Sequence, residues 1–263
     1  MLFEERFIFI PVRYPEGDWS PSELAYEDVW IASSDGITIH GWYIPHPEPV
    51  ATIHWSHGNT GNITHRAEEV RYWQRFLPVS VLLYDYRGYG RSEGHPSEEG
   101  LYDDARASYH WLRQNKGIPP EQIVLFGRSL GTSVASYLAS CEPHACLILE
   151  AGFTSAVAMG ELMFPWLPIG RFLRNRFDTL SRISDYTGRL LVIHGTDDSV
   201  IPFEMGKQLF EAAVRTELKE FYAVEGADHT NVPLVGGENY FRRIGGFLRK
   251  AGLPVPEMTA CES

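Results

Sequence analysis

The run Ile123-Val124-Leu125-Phe126-Gly127-Arg128-Ser129-Leu130-Gly131-Thr132-Ser133-Val134-Ala135-Ser136 decides how this 263-residue chain is read. Four apolar residues of strand type run straight into small residues of helix type, with a G-x-S-x-G pattern at the junction. Turning a buried strand directly into a helix crowds the backbone, and a glycine on each side of the serine leaves space that a Cβ would fill. Ser129 is then presented at the tip of a strained bend, a place suited to a nucleophile. The five-residue pattern alone is only moderate evidence. The strand before it and the helix after it give it weight.

Working outward, five further short apolar runs resemble strands buried on both faces: 51–56, 79–84, 147–149, 190–194 and 221–224. Segments of helical spacing separate most of them, such as Ile63, Ala67, Val70, Trp73 and Leu77, or Tyr240, Ile244, Phe247 and Leu248 near the end. Alternating strand and helix implies a parallel sheet with helices on both faces. Upstream, 27–32 and 37–44 flank Ser33-Ser34-Asp35-Gly36, and Asp-Gly between strand-like runs is a hairpin signal. The expectation is an α/β fold with a mostly parallel eight-stranded sheet and an antiparallel start. No internal repeat or low-complexity linker divides residues 1–263, so a single domain is expected. Residues 156–188 break the rhythm with Met159, Met163, Phe164, Trp166, Leu167, Phe172 and Phe177, and read as a small helical cap inserted in it. Residues 1–25 read as an N-terminal arm, an edge strand or apolar segment lying on the domain.

Composition narrows the function classes. A formal charge of -11 with no basic run argues against a nucleic-acid partner, which is held through clustered Lys and Arg. The longest N-terminal apolar run, Phe7 to Val12, is far short of the roughly 20 residues that a spanning helix needs. No membrane anchor is expected. Cys141, Cys146 and Cys261 are too few and scattered for a disulfide framework. Cys141 and Cys146 read as core thiols, and a reducing cytoplasm fits. No H-E-x-x-H, paired C-x-x-C or Walker pattern occurs, so neither a metal nor a cofactor is expected. The glycines of Asp85-Tyr86-Arg87-Gly88-Tyr89-Gly90-Arg91-Ser92-Glu93-Gly94 are one residue off the dinucleotide spacing. That stretch reads as a shaped loop at the carboxyl edge of the sheet.

A serine hydroxyl is a weak nucleophile at neutral pH and needs a base within hydrogen-bond reach, with a third group orienting that base. On a strand-to-helix bend the expected chain order is Ser, then acid, then His. Downstream of Ser129 lie His144, His194 and His229. His144 precedes a strand and His194 ends one, whereas His229 sits in the loop Glu225-Gly226-Ala227-Asp228-His229-Thr230 after the last strand, where the base belongs. The acid falls in Thr196-Asp197-Asp198-Ser199, where adjacent residues point in different directions and only one faces His229. Glu150, at the end of a strand, is a third carboxylate, better suited to a buried pair. The glycine turn His57-Gly58-Asn59-Thr60-Gly61-Asn62 offers backbone N–H groups for a developing oxyanion. The N–H groups of Asn59 and Leu130 are the expected donors, and His57 is expected to orient the loop. The apolar cap either lines an acyl pocket or buries against the domain.

Together, H-G-N-T-G-N at His57, D-Y-R-G-Y-G-R-S-E-G at Asp85, G-R-S-L-G at Gly127, H-G-T-D-D-S-V-I-P at His194 and G-A-D-H at Gly226 resemble the α/β-hydrolase superfamily. More narrowly the chain is similar to small single-domain serine hydrolases, described as acylaminoacyl-peptidase-like or depalmitoylase-like, over roughly residues 26 to 250. The resemblance implies the α/β-hydrolase fold, places the acid on Asp198, and implies His229 as the base. It also implies a serine hydrolase acting on a small-molecule acyl substrate, with a carboxylesterase first in line. A thioesterase, a small-peptide acyl hydrolase and a non-catalytic binding scaffold are the alternatives. An Asp nucleophile, normal for dehalogenases and epoxide hydrolases of this fold, is absent from position 129. Acyl length, leaving group and oligomeric state leave no mark in the sequence.

Overall fold

Residues 123–128 are buried on both faces because each face of the strand carries its own core. Val124 and Phe126 pack to one side, and Ile123 and Leu125 to the other. In the computed structural model, which describes residues 4–258, this strand is near the centre of the sheet. Met1, Leu2 and Phe3 of the expected arm, and Cys261, lie outside the described residues. The chain opens with α1 (Glu5–Ile8) and β1 (Ile10–Pro11), followed by β2 (Glu27–Ala32), β3 (Thr38–Ile44), β4 (Ala51–Ser56) and β5 (Thr60–Gly61). Then come α2 (Ala67–Phe76), β6 (Val79–Tyr84), α3 (Glu98–Asn115), β7 (Ile123–Arg128), α4 (Leu130–Cys141) and β8 (Cys146–Glu150). The last elements are α5 (Ala156–Met163), α6 (Thr179–Asp185), β9 (Arg189–Gly195), α7 (Phe203–Ala212), β10 (Leu218–Val224) and α8 (Val232–Lys250).

The main sheet has eight strands in the order β10-β9-β8-β7-β4-β6-β3-β2. β3 pairs antiparallel with both β2 and β6, and every other pair is parallel. This is the α/β-hydrolase fold expected from the sequence, with its antiparallel start. Helices α3, α4, α6 and α7 cover one face, and α2 and α8 cover the other. Trp42, Trp55, Trp73, Phe126 and Phe241 are among the large side chains filling the second core.

Three details depart from the sequence reading. β10 begins at Leu218, three residues before the apolar run, since an edge strand tolerates Lys219 and Glu220 on its half-exposed flank. The N-terminal segment is a helical turn followed by a two-residue strand that pairs in parallel with β5, outside the main sheet. Cys146 is a buried free thiol, but Cys141 is exposed at the last turn of α4, where the helix leaves the sheet. Among the described residues no helix is long and apolar enough to cross a membrane.

His54 sits in the middle of β4 with no exposure. Ser108 on α3 donates to the Ala105 carbonyl (2.9 Å), so its oxygen accepts from His54 Nε2 at 2.7 Å and the ring is held neutral. Burial pushes the His54 pKa down to about 3, and burial with the nearby Arg66 charge does the same for His57, also to about 3. Both values lie below the unfolded histidine, near 6.5. Above pH 6.5 neither state binds the proton and the stability is fully present. As pH falls towards 3 the unfolded chain takes up protons that the folded one refuses, and stability is lost. Urea titrations from pH 6 to 4 should show each histidine contributing about 1.4 kcal/mol per pH unit to that loss. His54→Gln should flatten the slope by about this amount, and an unchanged slope would contradict the assignment.

Candidate active site

Ser129 links β7 to α4 with φ 53° and ψ -119°, a left-handed conformation that a non-glycine residue holds only when its surroundings compel it. The compulsion is visible at both glycines. A Cβ on Gly127 would lie 2.2 Å from the Gly131 carbonyl oxygen, and one on Gly131 would lie 1.9 Å from that of Ser56. The bend is further tied down by the Ser129 N–H donating to the Glu150 carbonyl at 2.9 Å. In turn Thr132 donates to the Ser129 carbonyl through both its N–H (3.0 Å) and its hydroxyl (2.6 Å).

His229 arrives from the loop between β10 and α8. Its Nε2 lies 3.1 Å from Ser129 Oγ, and its Nδ1 lies 2.8 Å from Asp198 Oδ2. Asp198 leaves the end of β9, and its side chain has no exposure. Oδ1 accepts from the N–H groups of Val200 (2.9 Å) and Ile201 (2.7 Å), which turn the carboxylate inward. Its pKa is held well below the ordinary carboxylate range. Burial opposes the charge, but bonds from His194, His229 and the Ile201 N–H outweigh it. An ionised Asp198 accepts only, so Nδ1 of His229 carries the proton and Nε2 is free to accept from the serine. Asp197 points away, exposed, with Thr196 Oγ1 donating to it at 3.1 Å.

The glycine turn after β4 closes over the serine. A Cβ on Gly58 would stand 3.5 Å from Ser129 Cβ and 4.0 Å from Oγ. Among the described residues, the N–H groups of Asn59 and Leu130 carry no hydrogen-bond partner. His57 is buried, with Nδ1 at 2.7 Å from the Gly58 carbonyl, which orients the turn. The Asp85 loop braces the same turn, because Tyr86 OH donates to the His57 carbonyl and Tyr89 OH to that of Asn59, both at 2.8 Å. Sequence reasoning placed this loop at the sheet edge but missed what it supports.

Two further contributions escaped the sequence. His194 is fully buried, with Nε2 3.2 Å from Asp198 Oδ2, and it gives that carboxylate a second histidine contact. Asp228 Oδ1 accepts from the N–H of His229 (2.8 Å) and from Ser199 through both N–H (2.8 Å) and Oγ (2.9 Å), joining the Asp198 loop to the His229 loop. The doubled aspartate and the i, i+4 spacing of His194 and Asp198 were the available signals. Glu150 takes no part in the Ser129, His229 and Asp198 chain and pairs instead with Arg128.

The apolar residues of segment 156–188 follow neither expectation uniformly. Phe177 is buried, but Trp166 and Phe172 are 78% and 71% exposed, so they do not bury against the domain. Pro165 and Pro168 interrupt helix formation there and hold the turn outward. α6, with Ile183 in the core, returns to the helical layer, and Ala156, Ala158 and Met159 of α5 pack part-buried against the same core. Among the described residues no group of His, Cys, Asp and Glu is arranged to hold a metal ion.

Comparison with known proteins agrees with this architecture. The family profile described as alpha/beta hydrolase fold matches residues 57–169. An uncharacterized protein of Mycobacterium tuberculosis is 36% identical over 95% of this chain and 89% of its own length. The alpha/beta hydrolase domain-containing protein WAV2 of Arabidopsis thaliana is 34% identical over 94% of this chain and 88% of that protein. An esterase from Pyrococcus furiosus superposes with a TM-score of 0.77, covering 93% of this chain and 98% of that one at 22% identity, and so shares the fold. The chain belongs to the alpha/beta-hydrolase superfamily.

The glycine geometry is open to direct measurement. Gly131→Ala forces a methyl group against the Ser56 carbonyl and should destabilise the fold by about 1–3 kcal/mol. Gly246→Ala, in α8 with only Arg249 Nη2 at 3.8 Å, should instead stabilise it by up to about 1 kcal/mol. Urea unfolding of both variants checks this, and equal effects would refute the close approach.

Proposed function

We propose that the chain is a serine hydrolase that cleaves carboxylic-ester or related acyl bonds of small molecules through an acyl-enzyme, in the cytoplasm. The observation that carries this reading is the continuous chain from Ser129 Oγ to His229 Nε2 (3.1 Å) and from His229 Nδ1 to Asp198 Oδ2 (2.8 Å). Membership of the superfamily and the shared fold of an esterase support hydrolysis as the reaction class.

In the first half-reaction Ser129 Oγ attacks the acyl carbon while His229 Nε2 takes its proton. Asp198 stays ionised and stabilises the imidazolium that forms. The carbonyl oxygen becomes an oxyanion beside the N–H groups of Asn59 and Leu130. Such donors act most strongly where they are already oriented and partly shielded from water. The imidazolium returns its proton to the leaving group, whose departure leaves Ser129 acylated. Water then attacks the acyl carbon, with His229 again taking and returning the proton, and Ser129 is released.

Turnover of p-nitrophenyl acetate and butyrate, with fluorophosphonate labelling, tests the reading. Ser129→Ala should remove both labelling and hydrolysis. Asp198→Asn should lower kcat by about 10³–10⁴-fold, since the amide no longer holds the required tautomer, whereas Asp197→Asn should remain within about twofold of the parent. Equal hydrolysis by the parent and Ser129→Ala would sink the proposal.

A further inference from the structure

Arg128, the residue before the serine, is buried with Glu150 and Tyr240 and pairs with the part-exposed Glu69. Its Nε donates to Glu150 Oε1, Nη1 donates to Glu69 Oε2 at 2.6 Å, and Nη2 donates to Glu69 Oε1. Glu150 has no exposure, and its Oε2 accepts from Tyr240 OH at 2.5 Å. The main chain repeats the link, because Arg128 lies opposite Glu150 in the β7–β8 register and the Ser129 N–H donates to the Glu150 carbonyl. Glu150 is thus tied to Arg128 through its side chain and to Ser129 through its carbonyl, two successive residues entering the bend.

The partners come from informative places. Glu69 is in the first turn of α2, which follows the glycine turn at 57–62 through the short helix Ile63–Arg66. Tyr240 is on α8, which starts three residues after His229, and lies just past the break at Gly237, where φ is 51°. The guanidinium therefore bonds directly to the helix that follows the 57–62 turn, through Glu69, and reaches the helix that follows His229 through Glu150 and Tyr240. As a device for stability alone the cluster is poorly chosen. A buried ion pair gains little over apolar side chains of the same volume, and here a single cation faces two carboxylates. Directional bonding is what it adds.

We propose that Glu69, Arg128, Glu150 and Tyr240 form a positioning cluster that sets the approach of Ser129 to His229. The cluster touches neither substrate nor the reacting atoms, and the proposal rests on the hydrolase reading above. Tyr240→Phe removes one hydroxyl and leaves Glu150 Oε2 without its donor. A misplacement of about 1 Å in a reacting pair costs up to about a hundredfold in rate. For Tyr240→Phe, kcat on p-nitrophenyl butyrate should fall at least about tenfold with KM held within about twofold, because binding is untouched. Fluorophosphonate labelling should slow by the same factor, and a crystal structure of the variant should show the Ser129–His229 separation lengthened from 3.1 Å. A lower melting temperature with unchanged kcat and unchanged separation overturns the proposal, since a merely structural cluster behaves so. Should Tyr240→Phe fail to fold, Glu69→Gln, at a side chain 17% exposed, is read by the same three measurements. If the parent neither turns over ester nor labels, the hydrolase reading fails by itself. The crystallographic separation in the variant then decides: lengthened, the positioning role stands, and unchanged, it falls.

Discussion

The bend at Ser129 is the constraint around which the rest is arranged. A residue held at φ 53° costs on the order of 1–3 kcal/mol relative to a relaxed backbone, and nothing in Ser129 itself favours that conformation. The cost is met by neighbours that leave no alternative: β7 hydrogen-bonded on both sides by β4 and β8, and α4 packed so close that Gly131 touches the Ser56 carbonyl. Relaxing the bend means parting α4 from β4. The strain is therefore distributed over a sheet core that does not deform locally, which keeps the hydroxyl proud of the strand end.

Sheet order then dictates what the other loops must do. β8 separates the strand that leads to Ser129 from the one that leads to Asp198, and β10 lies one strand further out. With neighbouring strands about 4.8 Å apart, the ends of β7 and β9 are roughly 10 Å from each other and β10 is further still. Asp198 alone cannot reach Ser129, and an imidazole with polar atoms on opposite sides is the natural bridge. His229 has to fold back across β9 to provide it. Asp228 enforces that return by holding the N–H of His229 and both donors of Ser199 on one oxygen.

Most of this framework was legible because it rests on local rules. Paired glycines flank the bend, Asp35-Gly36 turns the hairpin, and the apolar runs mark strands whose two faces are both covered. What stayed closed depends on orientation. Asp197 and Asp198 are chemically identical neighbours, and the residues alone left them undecided until the family resemblance pointed to Asp198. In the structure the N–H groups of Val200 and Ile201 turn that carboxylate inward. The contributions of His194, Asp228 and Tyr240 arise from contacts with chain segments that the sequence gives no means of aligning. The segment at 156–188 shows the same limit from the apolar side. Its composition leaves open whether it lines a pocket or buries against the domain, and the structure divides it, with Trp166 facing solvent while Phe177 fills the core.

The interior beneath the site is more polar than a fold built for stability requires. His54, His57, Asp85, Asp104, Arg128, Glu150 and His194 are all buried, most of them along β4, β6, β7, β8 and β9 or just beyond their ends. Each demands a partner, and some polar atoms lack one, including Nδ1 of His54, Nε2 of His57 and Oδ2 of Asp85. Apolar replacements would avoid that desolvation penalty. Apolar contacts, however, are not directional, and a core of them allows small slides among helices that a hydrogen-bonded network forbids. The loops that meet at Ser129 come from four different strands, so their relative placement cannot be secured by any one element. At the strand ends, Arg128 with Glu150 and His194 with Asp198 supply pairwise polar contacts of this kind. At low pH burial makes His54 and His57 resist protonation, and the folded state loses stability to an unfolded chain that takes up those protons.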